Sequence, residues 1–393
     1  MGAIGKGDKL KRIYLDYAAT TPVDQRVLDV MLPYFIDGFG NPSGVYFESH
    51  QSAKALEKAR GQVAQAVGAN AKEIYFTSGG TEADNWAIKG IADALVDKGR
   101  HIITSSIEHH GILNPCEFLE ERGYEITYLP VDSFGMVSLE AVKSAVREDT
   151  ILVSIMMANN EVGTIAPIAE IGAFLKSQEI LFHTDGVQAL GNIPIDVNAL
   201  NVDLMSLSGH KIYGPKGIGA LYIKNGVAIT NMMHGGHQER EKRAGTENVP
   251  AIVGFGEASE RITLDFETNV EKMLILQKRL IDGVLENISG AYLNGHPTLR
   301  LPGNCHFSFD GVDGEALLTS LDMAGISASG GSACTSGALE PSHVLMAMGR
   351  SKEAARGVLR LTLGHKTTLE DVEMVIEKLI EIIERLRRFS EMV

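Results

Sequence analysis

Residues 73–99 read EIYFTSGGTEADNWAIKGIADALVDKG. The apolar run Ile74 to Phe76 breaks at Gly79 and Gly80 and passes at once into a stretch whose apolar residues recur at helical spacing. A strand, a glycine turn and a helix in immediate succession are half of a parallel crossover unit. Further apolar runs of strand length follow: HIITSSIEH (101–109), EITYLPV (125–131), TILVSIMMANN (150–160), EILFHTDG (179–186), VDLMSLSGH (202–210) and GALYIKNG (219–226). Amphipathic stretches such as LEAVKSAVRED (139–149) lie between them. The alternation predicts an α/β fold with a mostly parallel, seven-stranded sheet in a large domain over 16–260.

Beyond residue 260 the pattern changes. A long helix (270–288), a strand at GNCHFSFDG (303–311), the helix GEALLTSLDMAG (314–325), a strand at GVLRLTLG (357–364) and a final helix predict a smaller α+β domain of residues 261–393 with 1–15. Thr367 and Glu370 have capping-box spacing for that last helix. Its Val372, Val375, Ile376, Leu379, Ile383 and Leu386 share one face.

Composition narrows the function. The chain has 393 residues, 44% of them hydrophobic, which suits a globular protein with two cores. A net charge of −14 argues against nucleic acid or an anionic membrane surface as partner. Three cysteines (Cys116, Cys305, Cys334) give neither a disulfide framework nor a paired metal signature, so a cytoplasmic location is expected. The first residues show no apolar leader core, and no run of about 18 apolar residues occurs.

In open α/β sheets ligands sit at the carboxyl ends of the strands. Those ends carry TSGGT (77–81), His109 and His110, Asn159 and Asn160, Asp185 and Gln188, and Ser208, His210 and Lys211. Hydroxyls and glycines that turn into a helix leave backbone N–H groups free for a phosphate. The turn is neither a Rossmann fingerprint nor a P-loop. A lysine for a Schiff base, a carboxylate for a pyridinium nitrogen, and donors for phosphate and ring hydroxyl are the parts of a pyridoxal phosphate site. Lys211, Asp185, the glycine turn and Gln188 supply them. His234 and His237 in HGGHQE lack the thiolate or carboxylate partners of a metal site, and no intrinsic metal is expected.

YLDYAATTP (14–22), GNPSG (40–44), TSGGTEADN (77–85), ANNEVG (158–163), HTDGVQ (183–188), SLSGHKIYGPKG (206–217), RAGTEN (243–248) and GGSACTSGALEPSHVL (330–345) together resemble the cysteine desulfurases of the NifS/IscS type. The resemblance spans almost the whole chain. It implies a fold-type-I pyridoxal phosphate homodimer that takes sulfur from L-cysteine, leaving L-alanine and a persulfide for a sulfur-acceptor protein, an iron–sulfur scaffold or a sulfur relay. By the same resemblance Lys211 carries the cofactor and Asp185 meets its ring nitrogen. His109 stacks on the ring, with Gln188 and Asn159 near its hydroxyl and the substrate. Gly80, Thr81, Ser208 and His210 bind phosphate, Thr246 reaches the phosphate of the other subunit, and Arg360 takes the substrate carboxylate, a task suited to a planar guanidinium. Cys334 receives the sulfur, and with a partner it could transiently ligate a cluster.

The setting of Cys334 agrees with that role. Residues 327–342, SASGGSACTSGALEPS, offer little side chain to pack, which favours a flexible tether. Cys116 and Cys305 sit among apolar neighbours and read as buried, inert thiols. Departures from the family pattern are Gly80, Gly331, Ala83, Asp84 and His365, the last where an arginine is usual. The alternatives are another pyridoxal phosphate enzyme of the same fold, such as a selenocysteine lyase or an aminotransferase, and a non-catalytic sulfur carrier.

Overall fold

The computed structural model describes residues 12–330 and 341–390. Cys334 and most of its segment therefore lie outside the described residues. The chain runs β1 (Ile13–Tyr14), α1 (Gln25–Met31), α2 (Pro33–Ile36), α3 (Phe47–Ala66), β2 (Ile74–Thr77), α4 (Gly80–Ala94), β3 (His101–Ser105), α5 (His110–Glu120), β4 (Glu125–Leu129), α6 (Leu139–Ala145), β5 (Thr150–Ser154), α7 (Ile168–Ser177), β6 (Leu181–Asp185), β7 (Leu204–Ser208), β8 (Gly219–Ile223) and α8 (Val249–Leu264). It continues through α9 (Phe266–Asn287), β9 (Ala291–Leu293), β10 (Asn304–Phe309), α10 (Gly314–Met323), β11 (Ile326–Ser327), α11 (His343–Ala347), β12 (Val358–Thr362) and α12 (Leu369–Ser390).

Seven strands form one sheet in the order β2-β8-β7-β6-β5-β3-β4. All pairings are parallel except those of β8, which runs against both β2 and β7. Successive side chains of a strand point to opposite faces, and here both faces are buried. Ile103, Val153 and Met205 pack toward the core with α3, α7 and α8, whereas Ile102, Leu152 and Leu204 pack toward the core with α4 and α5. Double burial explains why these strands read as continuous apolar runs.

A second core surrounds the antiparallel sheet β12-β10-β9 and the faces of α9, α10 and α12. Phe307, at its centre, is fully buried. Ile13 and Leu15 belong to this core, and β1 pairs in parallel with β11. The last helix buries the expected face, but its capping box lies one residue later than Thr367 and Glu370. Thr368 N–H donates to Asp371 Oδ2 (3.0 Å) and Asp371 N–H to Thr368 Oγ1 (3.2 Å). Thr367 instead accepts from Gly364 N–H (3.0 Å) and closes the turn that precedes the helix.

Where β8 begins between β2 and β7, the sheet leaves no room for a side chain. A Cβ on Gly219 would lie 2.4 Å from the Leu207 carbonyl and 2.7 Å from the Gly79 carbonyl carbon. In α3, a Cβ on Gly61 would meet nothing within 4 Å. Gly219→Ala is expected to destabilise by about 1–3 kcal/mol through overpacking, and Gly61→Ala to stabilise by up to about 1 kcal/mol through helix propensity. Urea midpoints of the two variants should move in opposite directions.

Candidate active site

The carboxyl ends of β2, β3, β5, β6 and β7 meet on one edge of the central sheet. A cavity of about 250 Å³ opens there, lined by Gly80, Thr81, His109, Asp185, Gln188, Ser208, His210, Lys211 and Arg360 among others. Sequence reasoning had singled out all nine. The α4 N-terminus supplies the first-turn N–H groups that no intrahelical carbonyl can satisfy. A Cβ at Gly80 would sit 2.8 Å from Val187 Cγ2, so the glycine lets Val187 close the cavity beside the turn.

Lys211 stands on a single 3₁₀ turn directly after β7. Its Nζ donates to the carbonyls of Ala18 (2.5 Å) and Ala19 (2.9 Å), and Gln188 Nε2 donates to the same Ala18 carbonyl (3.0 Å). Asp185 ends β6, 7% exposed, and accepts from Val187 N–H (2.9 Å). Burial raises its carboxyl pKa, while His109, the Val187 N–H and Lys211 work the other way.

His109 is the N-cap of α5, and its Nδ1 accepts from Gly111 N–H (3.0 Å). With that lone pair occupied, a neutral ring carries its proton on Nε2. Burial lowers the pKa of this ring, and Lys211, His110 and His343 add to the effect against Asp185. His109 is therefore a neutral donor.

Two more carboxyl groups are buried nearby. Asp84 lines the cavity, 1% exposed, with Oδ1 lacking a hydrogen-bond partner. Burial and the neighbouring Asp185 raise its pKa well above the ordinary value. Glu108 is fully buried, and its Oε1 accepts from Ser105 Oγ (2.5 Å) and Met156 N–H (2.9 Å). Its pKa is pushed up to about 8, chiefly by burial. His183 lies close to Asp84 with both nitrogens taken by Ser154 Oγ (2.8 Å) and Ser206 Oγ (3.0 Å), and burial lowers its pKa to about 3. The group beneath Asp185 is thus kept uncharged by protonated acids and a neutral imidazole.

Arg360 is 1% exposed. Its Nη1 donates to the Asn160 carbonyl (2.9 Å) and its Nη2 to Asp16 (2.8 Å), and its Nε is buried without an acceptor. An ordinary surface arginine is excluded by this burial.

Asn159 and Thr246 do not join the cavity lining. Asn159 closes the turn after β5, accepting from Glu161 and Val162 N–H (both 2.9 Å) and donating to the Ile107 carbonyl (3.0 Å). Its neighbour Asn160 lines the cavity instead. Thr246 is exposed. His110, which the sequence placed with His109 at a strand end, also lines the cavity, and Val187, Glu161 and His343 do so without having been foreseen. His343 was legible only as part of the PSHVL run, because α11 brings it back across the site, with its Nε2 against the Glu108 carbonyl (3.0 Å). His365 stacks on Tyr213, ring centroids 3.9 Å apart, away from the Arg360 cavity. His237 pairs with Glu241 on the surface (3.0 Å). Among the described residues no group of three or more His, Cys, Asp and Glu is arranged to hold a metal ion, and no helix is long and apolar enough to cross a membrane.

An anion-receptive helix start, a lysine and a buried aspartate round a cavity of this size fit pyridoxal phosphate by donor chemistry. The unpartnered Asp84 Oδ1 and the space that Gly80 leaves fit it by shape. The family model of class-V aminotransferases matches residues 13–375. The chain belongs to the class-V aminotransferase family. Within that family it is 56% identical over 380 residues to a cysteine desulfurase IscS of Methanosarcina thermophila, covering 97% of this chain and 94% of the relative. A solved NifS-like protein superposes with a TM-score of 0.90 at 39% identity, covering 95% of this chain and all of the other. The structure of SspA in complex with cysteine superposes with a TM-score of 0.81 at 38% identity, covering 90% and 99%. Family membership is pyridoxal-phosphate chemistry in kind, which accords with the parts assembled here.

The Glu108 carboxyl gives this site a pH signature. Its folded-state pKa of about 8 lies above the ordinary value of 4.5, so between the two the folded chain binds a proton that the unfolded chain has lost. Stability from this group is complete below pH 4.5 and is lost as pH rises to about 8. Glu108→Gln should flatten that part of the stability curve, and urea midpoints taken between pH 5 and 8 will show whether the slope decreases relative to the unsubstituted chain.

Proposed function

We propose that this chain is a cysteine desulfurase that uses pyridoxal 5'-phosphate to convert L-cysteine to L-alanine and leaves the sulfur as a persulfide on Cys334. The observation that carries the proposal is the convergence of Lys211, Asp185, His109 and Arg360 on one cavity beside the α4 N-terminus, in a chain whose relatives bear that name.

When bound to Lys211, the cofactor supplies an electron sink for the substrate carbons. The chain's own residues do the rest. Asp185 holds the proton of a ring nitrogen, because a buried anion is stabilised by a cation directly beside it. Asp84 and Glu108, kept neutral, do not compete for that cation. Gly80, Thr81, Ser208 and His210 surround the phosphate, and burial and Lys211 hold His210 neutral, its pKa lowered to about 4. Arg360, itself buried and fixed by Asp16 and the Asn160 carbonyl, receives the substrate carboxylate. Neutral His109, with Nδ1 taken by the Gly111 N–H, presents its Nε2–H as a hydrogen-bond donor at the cavity lining.

The sulfur step balances without an outside oxidant. The Cys334 thiolate attacks the substrate sulfur, the carbon–sulfur bond breaks with its electron pair left on carbon, and protonation gives alanine. Cys116 and Cys305 cannot substitute, since both are fully buried with thiol pKa values pushed up to about 12, mainly by burial. A cytoplasmic homodimer acting with a sulfur-acceptor protein belongs to the same proposal. It is supported by the exposed Phe35, Ile36, Phe39, Val45 and Phe47, apolar side chains crowded near α2 and the start of α3. Thr246, exposed in this subunit, would serve the phosphate of the other. The division into domains 16–260 and 1–15 with 261–393 is supported by the separate cores.

The test uses the purified chain with L-cysteine and a reductant. The unsubstituted protein is expected to form alanine and sulfide in equal amounts. Cys334→Ser should bind the substrate yet form neither, and Lys211→Ala should lose the borohydride-reducible lysine adduct. Alanine formation at full rate by Cys334→Ser would remove that thiol from the reaction. A large preference for selenocysteine would favour the lyase reading.

A further inference from the structure

The segment HGGHQERE, residues 234–241, lies outside the cavity lining. It nevertheless contains three successive non-glycine residues in the left-handed region, Glu239, Arg240 and Glu241, with φ of 45°, 56° and 66°. Glu179, Asn201 and Tyr213 also have positive φ, but each is isolated. Such a run persists only where its surroundings impose it.

Glu239 is the imposing contact. It is 5% exposed and meets Arg60 of α3 through both oxygens (2.7 and 2.9 Å). Its Oε2 also accepts from Phe76 N–H (2.9 Å). Arg60 Nη1 (2.9 Å) and Arg240 Nη2 (2.6 Å) both donate to the Ile74 carbonyl. The segment is thereby pinned to β2, the strand that ends in the glycine turn. A few residues on, Arg243 grips Glu82 in the first turn of α4 (2.8 and 3.1 Å), and Glu82 Oε2 accepts from Ser78 N–H (2.7 Å). Residues 239–243 thus hold the glycine turn at both ends, before it through β2 and after it through Glu82.

Glu82 also poses a charge problem. A carboxylate in the first turn of a helix that must receive a phosphate would repel it. Burial by itself would raise the Glu82 pKa, but the hydrogen bonds from Arg243 and Ser78 hold it below the ordinary value. Glu82 is therefore an anion whose charge is offset by Arg243.

We propose that the Arg60–Glu239 and Arg243–Glu82 pairs are positioning elements for the phosphate end of the cofactor site, fixing the Ser78–Glu82 turn and neutralising the Glu82 carboxylate in the first turn of α4. The proposal rests on the pyridoxal phosphate reading above. It also gives the segment that carries Thr246 a second duty, inside its own subunit.

The test compares two ligands that differ only in the phosphate. The full chain, stripped of cofactor, is titrated with pyridoxal phosphate and with pyridoxal, reading quenching of its only tryptophan, Trp86, which is buried in α4. Arg243→Met should weaken pyridoxal phosphate by about tenfold or more, since it strands a partly buried charge, with pyridoxal changed less than twofold. Adding Glu82→Gln to Arg243→Met should recover much of that loss. Glu239→Gln should act in the same direction as Arg243→Met, and if it fails to fold, Arg243→Met with an unchanged circular dichroism spectrum decides alone. Equal weakening of both ligands, or no rescue by Glu82→Gln, would overturn the proposal. An unsubstituted chain that binds the two ligands equally would overturn the cofactor reading and this inference with it.

Discussion

A carboxylate at the buried end of a central strand is unfavourable unless a cation stands against it, because removing the charge from water costs several kcal/mol in practice. Asp185 occupies such a place, and the surrounding architecture follows from it. Its strand, β6, lies in the middle of the sheet with parallel neighbours on both sides. Its edge is closed by Val187, by the α5 start at His109 and by the turn that carries Lys211. Burial first, and the neighbouring Asp185 after it, raises the pKa values of Asp84 and Glu108. In the function proposed, a cationic ring nitrogen beside Asp185 would relieve what the protein alone leaves partly unrelieved.

The second constraint is mechanical. Lys211 and Gln188 both hold the Ala18 carbonyl, and Arg360 holds Asp16. All three contacts fall on the short stretch that leaves β1. That stretch is stitched to the smaller core through Leu15, whose N–H donates to the Ser327 carbonyl (2.8 Å) and whose carbonyl accepts from Thr362 N–H (2.8 Å). One strap therefore joins the lysine just after β7 to the arginine on β12. Ser327 is also where the segment leading to Cys334 departs from β11. Cofactor end, carboxylate end and thiol-bearing segment are referenced to the same few residues.

Much of this was legible because it is periodic or local. Double burial gives inner strands such as β5, β7 and β8 largely apolar runs, and the carboxyl ends on the site's edge carry polar residues within a few positions. What escaped depends on long-range pairing. The direction of β8 is set by its neighbours rather than by its own residues, and β1 and β11 are too short to show alternation. Asn159 and Asn160 are adjacent amides, and only the turn geometry decides which one is spent on backbone and which faces the cavity. The cap of α12 moved from Thr367 to Thr368 because two adjacent threonines offer the same hydroxyl, and Gly364 took the first. Glu239 looked like part of a loop because its partner, Arg60, is 179 residues away.

The three thiols show how burial divides chemistry along a chain. Desolvation disfavours a thiolate, so Cys116 and Cys305, packed among helix and strand side chains, are held as thiols far above neutral pH. A nucleophilic thiol must avoid that environment, and residues 327–342 around Cys334 contain a single large apolar residue, Leu339. No lysine or arginine occurs in residues 327–342 to lower its pKa locally. A base for the thiol proton must then come from the cavity. His109 does not suit that task in its resting tautomer, since its Nδ1 already accepts from Gly111 and its Nε2 carries the proton. It can accept a proton only by giving up that cap, and so it is not a standing means of ionising the loop thiol.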